Sequence, residues 1–147
     1  MLKTLWNAAH RQELDRRITR LTPQHTPRWG RMTAPQMVAH LTDAVRMATG
    51  EVQIRTRRTL FRHPPLKQLM VYLVPIPRGL PTAKELQRAP KPWDVEMADL
   101  RAMLETFAAR DRKGSWPPHP VFGPLSARAW GVLTLRHLDH HLRQFGA

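Results

Sequence analysis

The 147-residue chain has no cysteine, which excludes disulfides, thiolate metal sites and cysteine nucleophiles. It also lacks a long hydrophobic run. The longest apolar stretch, residues 66–76, is interrupted by Lys67 and Gln68 and is far shorter than the roughly 20 residues that span a bilayer. The first twenty residues hold His10, Arg11, Glu13, Asp15, Arg16 and Arg17 and no apolar segment. No secretory signal is read there, and the expectation is a cytoplasmic protein with no membrane partner. Acidic residues are scarce, 11 against 24 Lys and Arg, for a formal net charge of +13. That imbalance favours anionic partners through long-range attraction. Yet there is no zinc finger, no RNP aromatic pair, no Gly-rich phosphate loop and no basic run denser than Arg57-Arg58. Nucleic acid is therefore not an expected partner, and a basic solvated surface accounts for the charge. Internal repeats, low-complexity segments and alternating strand patterns are absent as well.

What is present is helical. Asn7 to Leu21 reads as a helix capped by Asn7, with Leu14, Ile18 and Leu21 as its stripe. Thr33-Ala34-Pro35-Gln36 is a capping box with proline in the first turn, Met32 and Met37 are spaced as a hydrophobic staple, and Gly50 is the stop. Residues 51–65 read as a basic, irregular connection. Residues 66–74 form a short apolar helix ended by Pro75 and Pro77. Thr82 and Glu85 are spaced as a second capping box. Asp94 is read as the cap of a helix to about Arg110, with Met97, Leu100, Leu104 and Phe107 facing the core. Pro124 stops the preceding loop, Ser126 caps a closing helix, and Gly146 ends it. The expected fold is all-α: one domain over residues 1–147, four substantial amphipathic helices, one extra short helix and long connecting loops.

Three of the eight histidines lie within five residues of the closing helix. At about 100° per residue, Trp130, Leu133, Thr134, His137, Leu138, His141 and Phe145 share its inward face, with His140 at the edge. His40 lies at the border of the apolar stripe of the second helix. Two histidines one turn apart plus one from a facing helix occupy three positions of a tetrahedral or octahedral ion and leave the rest open, as in catalytic sites. Neutral imidazoles suit zinc, nickel, iron or copper without selecting among them. The competing reading is three polar histidines at a core boundary. Asp43, one turn beyond His40, is a candidate general base or a hydrogen-bonding support for a ligand, with a surface acid as its alternative. Asp139 points away and is expected to pair with Arg136 or Arg143. His10, His25, His63 and His119, in or beside loops, are expected to be inert, and Trp29 and Trp130 to be core.

Three segments carry a resemblance. They are Trp29-Gly30-Arg31-Met32-Thr33 leading into Met37-Val38-Ala39-His40-Leu41-Thr42-Asp43, then His119-Pro120-Val121-Phe122-Gly123-Pro124-Leu125, then Trp130-Gly131 with His137-Leu138-Asp139-His140-His141-Leu142-Arg143-Gln144-Phe145. Together they resemble the DinB/YfiT-like superfamily, and within it the bacterial branch known as domain of unknown function 1569. The resemblance runs from about Arg28 to Phe145. It implies a four-helix bundle holding a divalent metal on one histidine of the second helix and an H-x-x-x-H pair of the last, here His40, His137 and His141. Some members transfer low-molecular-weight thiols to electrophiles, others are hydrolases or isomerases, and dimers are common. Many end the motif with His-His-Arg-Gly-Gln, whereas His141 here is followed by Leu142-Arg143-Gln144.

The expectation is thus a metal-dependent enzyme of the thiol S-transferase or hydrolase type. Its partners would be a small acidic or thiol-containing substrate and a low-molecular-weight thiol, in a monomer or homodimer. A non-catalytic bundle that binds a metal or ligand, with a basic surface facing anionic partners, is the alternative.

Overall fold

The computed structural model describes residues 1–147 and is helical throughout, with no strand beyond an isolated bridge between His119 and Gly123. The helices are α1 (Ala8–Thr19), α2 (Ala34–Thr49), α3 (Leu66–Gln68), α4 (Trp93–Ala109) and α5 (Ala127–Gln144).

Local chemistry sets most of the boundaries. The Asn7 side chain accepts from the Ala9 and His10 N–H groups at the start of α1. The helix ends at Thr19, and Leu21 is buried just beyond it. The α2 capping box forms in full. Thr33 Oγ1 accepts from Gln36 N–H at 3.2 Å and Gln36 Oε1 accepts from Thr33 N–H at 2.9 Å. Such a cap contributes about 1 kcal/mol. Gly50 closes α2 in the left-handed region, φ 87°. The Ser126 hydroxyl accepts from Ala129 N–H at 3.1 Å to start α5.

Two expected caps fail. The Thr82/Glu85 box does not form, because the only turn there is a 3-10 turn, Lys84–Leu86, and the Glu85 carboxylate accepts from Arg55 N–H instead. Asp94 does not cap α4. The helix begins one residue earlier, behind Pro92, and Asp94 lies in its first turn. No side chain caps α4; Glu96 instead accepts from Lys91 N–H at 2.8 Å, which ties the incoming segment to the first turn.

The short helix α3 continues as a single π-turn, Leu69–Leu73. Its carbonyls are caught by α5: Arg136 donates to Met70 O at 2.9 Å and also to Val71 O and Val74 O. That clamp ties the 51–80 excursion to the helix bearing the histidine pair.

Because 12 of its 16 residues are buried, α2 is the central element, packed against both α4 and α5. One hydrophobic cluster runs through α1, α2, α4 and α5 and includes Ile18, Leu41, Leu100, Phe107, Trp130, Leu138 and Leu142. Truncating one such leucine to alanine typically costs about 2–5 kcal/mol. The N-terminal segment lies on α5 at Gly131, where Leu5 N–H donates to Gly131 O at 3.1 Å and Trp6 Nε1 donates to Ala127 O at 2.7 Å. A Cβ on Gly131 would lie 2.3 Å from Trp6 Nε1, so only glycine admits this approach.

Candidate metal centre

The position of each histidine follows from its helix. His40 faces α5 because Met37, Leu41 and Ala44 fix that side of α2 in the core, and it is 6 % exposed. His137 and His141, one turn apart on α5, meet it. His137 Nε2 lies 3.2 Å from His40 Nε2 and 3.1 Å from His141 Nε2. The three donor atoms all fall within 4.8 Å of one another, a group able to hold a metal ion. A tetrahedral zinc ion with bonds of about 2.0–2.1 Å separates its ligand nitrogens by about 3.3–3.4 Å, close to the two short spacings here.

The hydrogen-bond pattern of this cluster favours a cation at its centre. Gln144, 5 % exposed, donates from Nε2 to Trp29 O at 2.7 Å, which fixes its amide orientation. Its Oε1 therefore faces His141 Nδ1 at 2.7 Å and must accept from an Nδ1–H. In the neutral tautomer that proton leaves His141 Nε2 as a lone pair aimed at His137. A ring nitrogen has one in-plane site, so His137 Nε2 cannot make good hydrogen bonds to both neighbours. Three imidazoles meeting nitrogen to nitrogen are poorly satisfied by each other and well satisfied by an ion. His40 Nδ1 is itself buried without a hydrogen-bond partner, although the Leu86 carbonyl is close enough to influence its titration.

All three rings are held neutral. Burial lowers the pKa of His40, against an upward pull from the Leu86 carbonyl and the Asp43 carboxylate. Burial and then the His141 and His40 charges push His137 well down. Burial, with His40 second, lowers His141 to about 3. Neutral imidazole is the form that ligates metals. His140 stays at the edge, its ring edge-on to Trp29 and to His141, with burial and Arg78 lowering its pKa.

Asp43 is buried, 4 % exposed, rather than a surface acid. Both of its oxygens are engaged: Arg46 donates to Oδ1 at 2.8 Å and Arg88 Nε to Oδ2 at 2.9 Å. Arg88 also grips the fully buried Glu96 with both terminal nitrogens. Asp43 does not line the cavity described below. Asp139, as expected, points away from the cluster, paired with Arg143 at 2.9 Å but also with Arg17 at 2.6 Å. Its other expected partner, Arg136, serves the carbonyls of Met70, Val71 and Val74 in and just after the π-turn.

The cluster opens into a cavity of about 1050 Å³ between α2, α5 and the 51–89 excursion. Met32, Ile54, Phe61, Met70, Leu80 and Leu133 give it an apolar body, and no aspartate or glutamate lines it. Trp29 is half-buried in this wall, with the Arg78 guanidinium 4.0 Å above its ring, so it is not a core residue. Trp130 is core as expected, 1 % exposed, and its Nε1 donates to Pro117 O at 3.0 Å.

Residues 7–147 match the family described as "Protein of unknown function (DUF1569)". The chain belongs to that family. No curated protein and no solved structure matches it. All residues of the cluster and of its cavity wall lie inside the matched DUF1569 region.

Two members of the site escape a reading of the sequence. Gln144 orients His141, and its only signal there is the i, i+3 spacing from a ligand candidate on one helix. His119 lies in the cavity wall rather than out on a loop. It is packed against Phe122 and Trp130, lines the cavity, and has a pKa lowered by burial to about 4. A loop histidine between prolines gives no periodicity from which its burial is readable.

Proposed function

We propose that this DUF1569 protein is a metal-dependent enzyme built as a single DinB-like four-helix bundle, in which His40, His137 and His141 bind one divalent cation, with zinc, nickel and iron as the candidates. The observation that carries the reading is the meeting of three neutral imidazole nitrogens, 3.1 and 3.2 Å apart, at the floor of a large cavity. Such an ion supplies Lewis acidity, lowering the pKa of a bound water or thiol. Around it the chain's own groups orient and exclude. Gln144 holds the His141 tautomer that presents a lone pair. Asp43, tied down by Arg46 and Arg88, acts by its field on His40 and as an anchor for Arg88 rather than as a base. Trp29, Leu133 and Phe61 keep water from the apolar part of the cavity.

Within this reading, transfer of a low-molecular-weight thiol is favoured over hydrolysis. No carboxylate reaches the cavity to serve as general base for a water, and the lining histidines outside the cluster, His119 and His140, are made weaker bases by burial. A thiol needs less help: its proton passes to solvent, its sulfur attacks an electrophilic carbon, the C–S bond forms, and the leaving group departs with the bonding pair. The same lack of a carboxylate leaves a second reading, a metal- or ligand-binding bundle without chemistry. The test is turnover of 1-chloro-2,4-dinitrobenzene and of a nitrophenyl ester by untagged protein, with and without added thiol. Thiol-dependent conjugation that His137→Ala abolishes is expected. Ester cleavage independent of thiol would overturn the transferase reading, and no turnover of either favours the binding protein.

A further inference from the structure

The cavity's charges are one-sided. Arg31 and Arg57 line it and are exposed, and neither guanidinium has an ion-pair or hydrogen-bond partner. Arg88 lines it too, but Asp43 and Glu96 saturate it. Many arginines and lysines of this basic chain lie outside ion pairs; what sets these two apart is their place on a cavity wall that carries no carboxylate. Deeper in, His119 is held in one tautomer. Its Nδ1 lone pair is shared by two backbone donors, Val121 N–H at 3.0 Å and, as the longer branch, Phe122 N–H at 3.2 Å. The neutral ring therefore carries its proton on Nε2, on the side away from the backbone, and no protein group accepts it. Phe122 and Trp130, with ring centroids 4.8 and 5.3 Å away, fix the plane of the imidazole. His119 lines the same cavity as His137. Met32, Ile54, Phe61, Met70 and Leu80 supply the apolar part of the wall, beside uncharged polar groups such as Gln36, Thr59 and Gln87.

We infer that the cavity takes an amphipathic anion: a small molecule with an extended apolar body and a carboxylate- or phosphate-type head, its head held by Arg31 and Arg57 and a polar atom further along accepting from His119 Nε2–H. Both cations are screened by solvent at the mouth, so they select for charge and steer entry, while the apolar wall contributes most of the affinity. His119 acts as an orienting donor whose geometry is set before the ligand arrives. The inference rests on the cavity being the working site of the proposed function, and not on the ion itself.

The test compares octanoate with octan-1-ol, probes of equal chain length with and without charge. Binding is measured by isothermal titration calorimetry on the full chain, once zinc-loaded and once with chelator. Octanoate is expected to bind about tenfold more tightly than octan-1-ol in both states, equivalent to about 1.4 kcal/mol. The double variant Arg31→Ala, Arg57→Ala should remove that ratio and leave octan-1-ol binding unchanged. His119→Asn keeps an oxygen to accept the two backbone N–H groups but removes the donor. It should leave these two probes unchanged, since neither has a second polar group, and weaken 8-hydroxyoctanoate by about threefold with the circular dichroism spectrum unaltered. Binding of 8-hydroxyoctanoate unaffected by the substitution would overturn the role given to His119. Equal affinities for the two probes, or a preference unaffected by the arginine substitutions, would overturn the assignment. A preference seen only with zinc would overturn it as well, by assigning the head group to the ion. If the protein binds no zinc yet prefers octanoate, the anion site stands and the metal reading falls.

Discussion

Gln144 is the residue at which the proposed metal centre can be pressed hardest. It makes two hydrogen bonds, one from Nε2 to Trp29 O and one accepted at Oε1 from His141, each 2.7 Å long. Leucine in its place fills similar volume and makes neither. His141 Nδ1–H is then unpaired in a buried setting, and the ring is free to turn or to move its proton to Nε2, where it blocks a ligand position. Removing such a support typically costs about 10–100-fold in metal affinity, or about 1.4–2.8 kcal/mol. Gln144→Glu is the informative contrast. It keeps and strengthens the acceptor for His141 but leaves Trp29 O without its donor. Zinc affinity measured by competition with a chromophoric chelator should fall at least tenfold for Gln144→Leu and hold or rise for Gln144→Glu, while thermal stability drops in both. Zinc affinity within twofold of the parent in Gln144→Leu would refute the role argued for Gln144 and the tautomer it imposes.

Other consequences are equally measurable. Gly131→Ala drives a methyl group into Trp6 and Thr4, at 2.3 and 2.6 Å, and should destabilise the protein by about 1–3 kcal/mol in urea unfolding, with Trp6 fluorescence shifted; an unchanged midpoint would contradict the close approach. Arg88→Met strands Asp43 and the fully buried Glu96 without their shared cation, and a loss of about 3–5 kcal/mol is expected, relieved when Glu96→Gln is added. The protein with metal chelated should lose stability as pH falls below about 6.5. His40, His119, His137, His140 and His141 titrate lower when folded than when unfolded, at about 3 for His141 and about 4 for His119, so the unfolded chain binds more protons in between. Glu96 adds to this at lower pH, since burial would raise its pKa but Arg88 and the Lys91 N–H outweigh it and hold it low. Melting temperatures at pH 7.5, 6 and 5 check this, and a flat profile would refute the buried neutral imidazoles.

Much of the fold is legible in the sequence because its signals are local. The Thr33-Ala34-Pro35-Gln36 box, the Ser126 cap and the glycines at 50 and 146 each act within one turn, and the boundaries they mark appear where expected. Helical periodicity likewise carries His40, His137 and His141 to one place. Expectation and structure part where a distant partner prevails over a local one. Glu85 serves the backbone of Arg55, thirty residues away, and α4 starts behind Pro92 without a side-chain cap, so that Asp94 falls in its first turn. Asp43 reads as a base or a support for a ligand from its place one turn beyond His40, with a surface acid as the alternative; the structure buries it, and its second arginine, Arg88, comes from a loop with no pattern. His119 is hidden for the same reason: its burial depends on Trp130 and Phe122 closing over an irregular segment. Trp29, in a loop with two prolines and a glycine, reads as core and instead forms a wall of the cavity.

The three-histidine metal site is tested most directly by the metal content of protein purified without a histidine tag, determined by inductively coupled plasma mass spectrometry on the parent chain and on His137→Ala. Close to one divalent ion per chain is expected in the parent and almost none in the variant, with both folded by circular dichroism. A parent that binds no divalent ion when dialysed against zinc, nickel or iron, or a variant that retains its metal, would contradict the site.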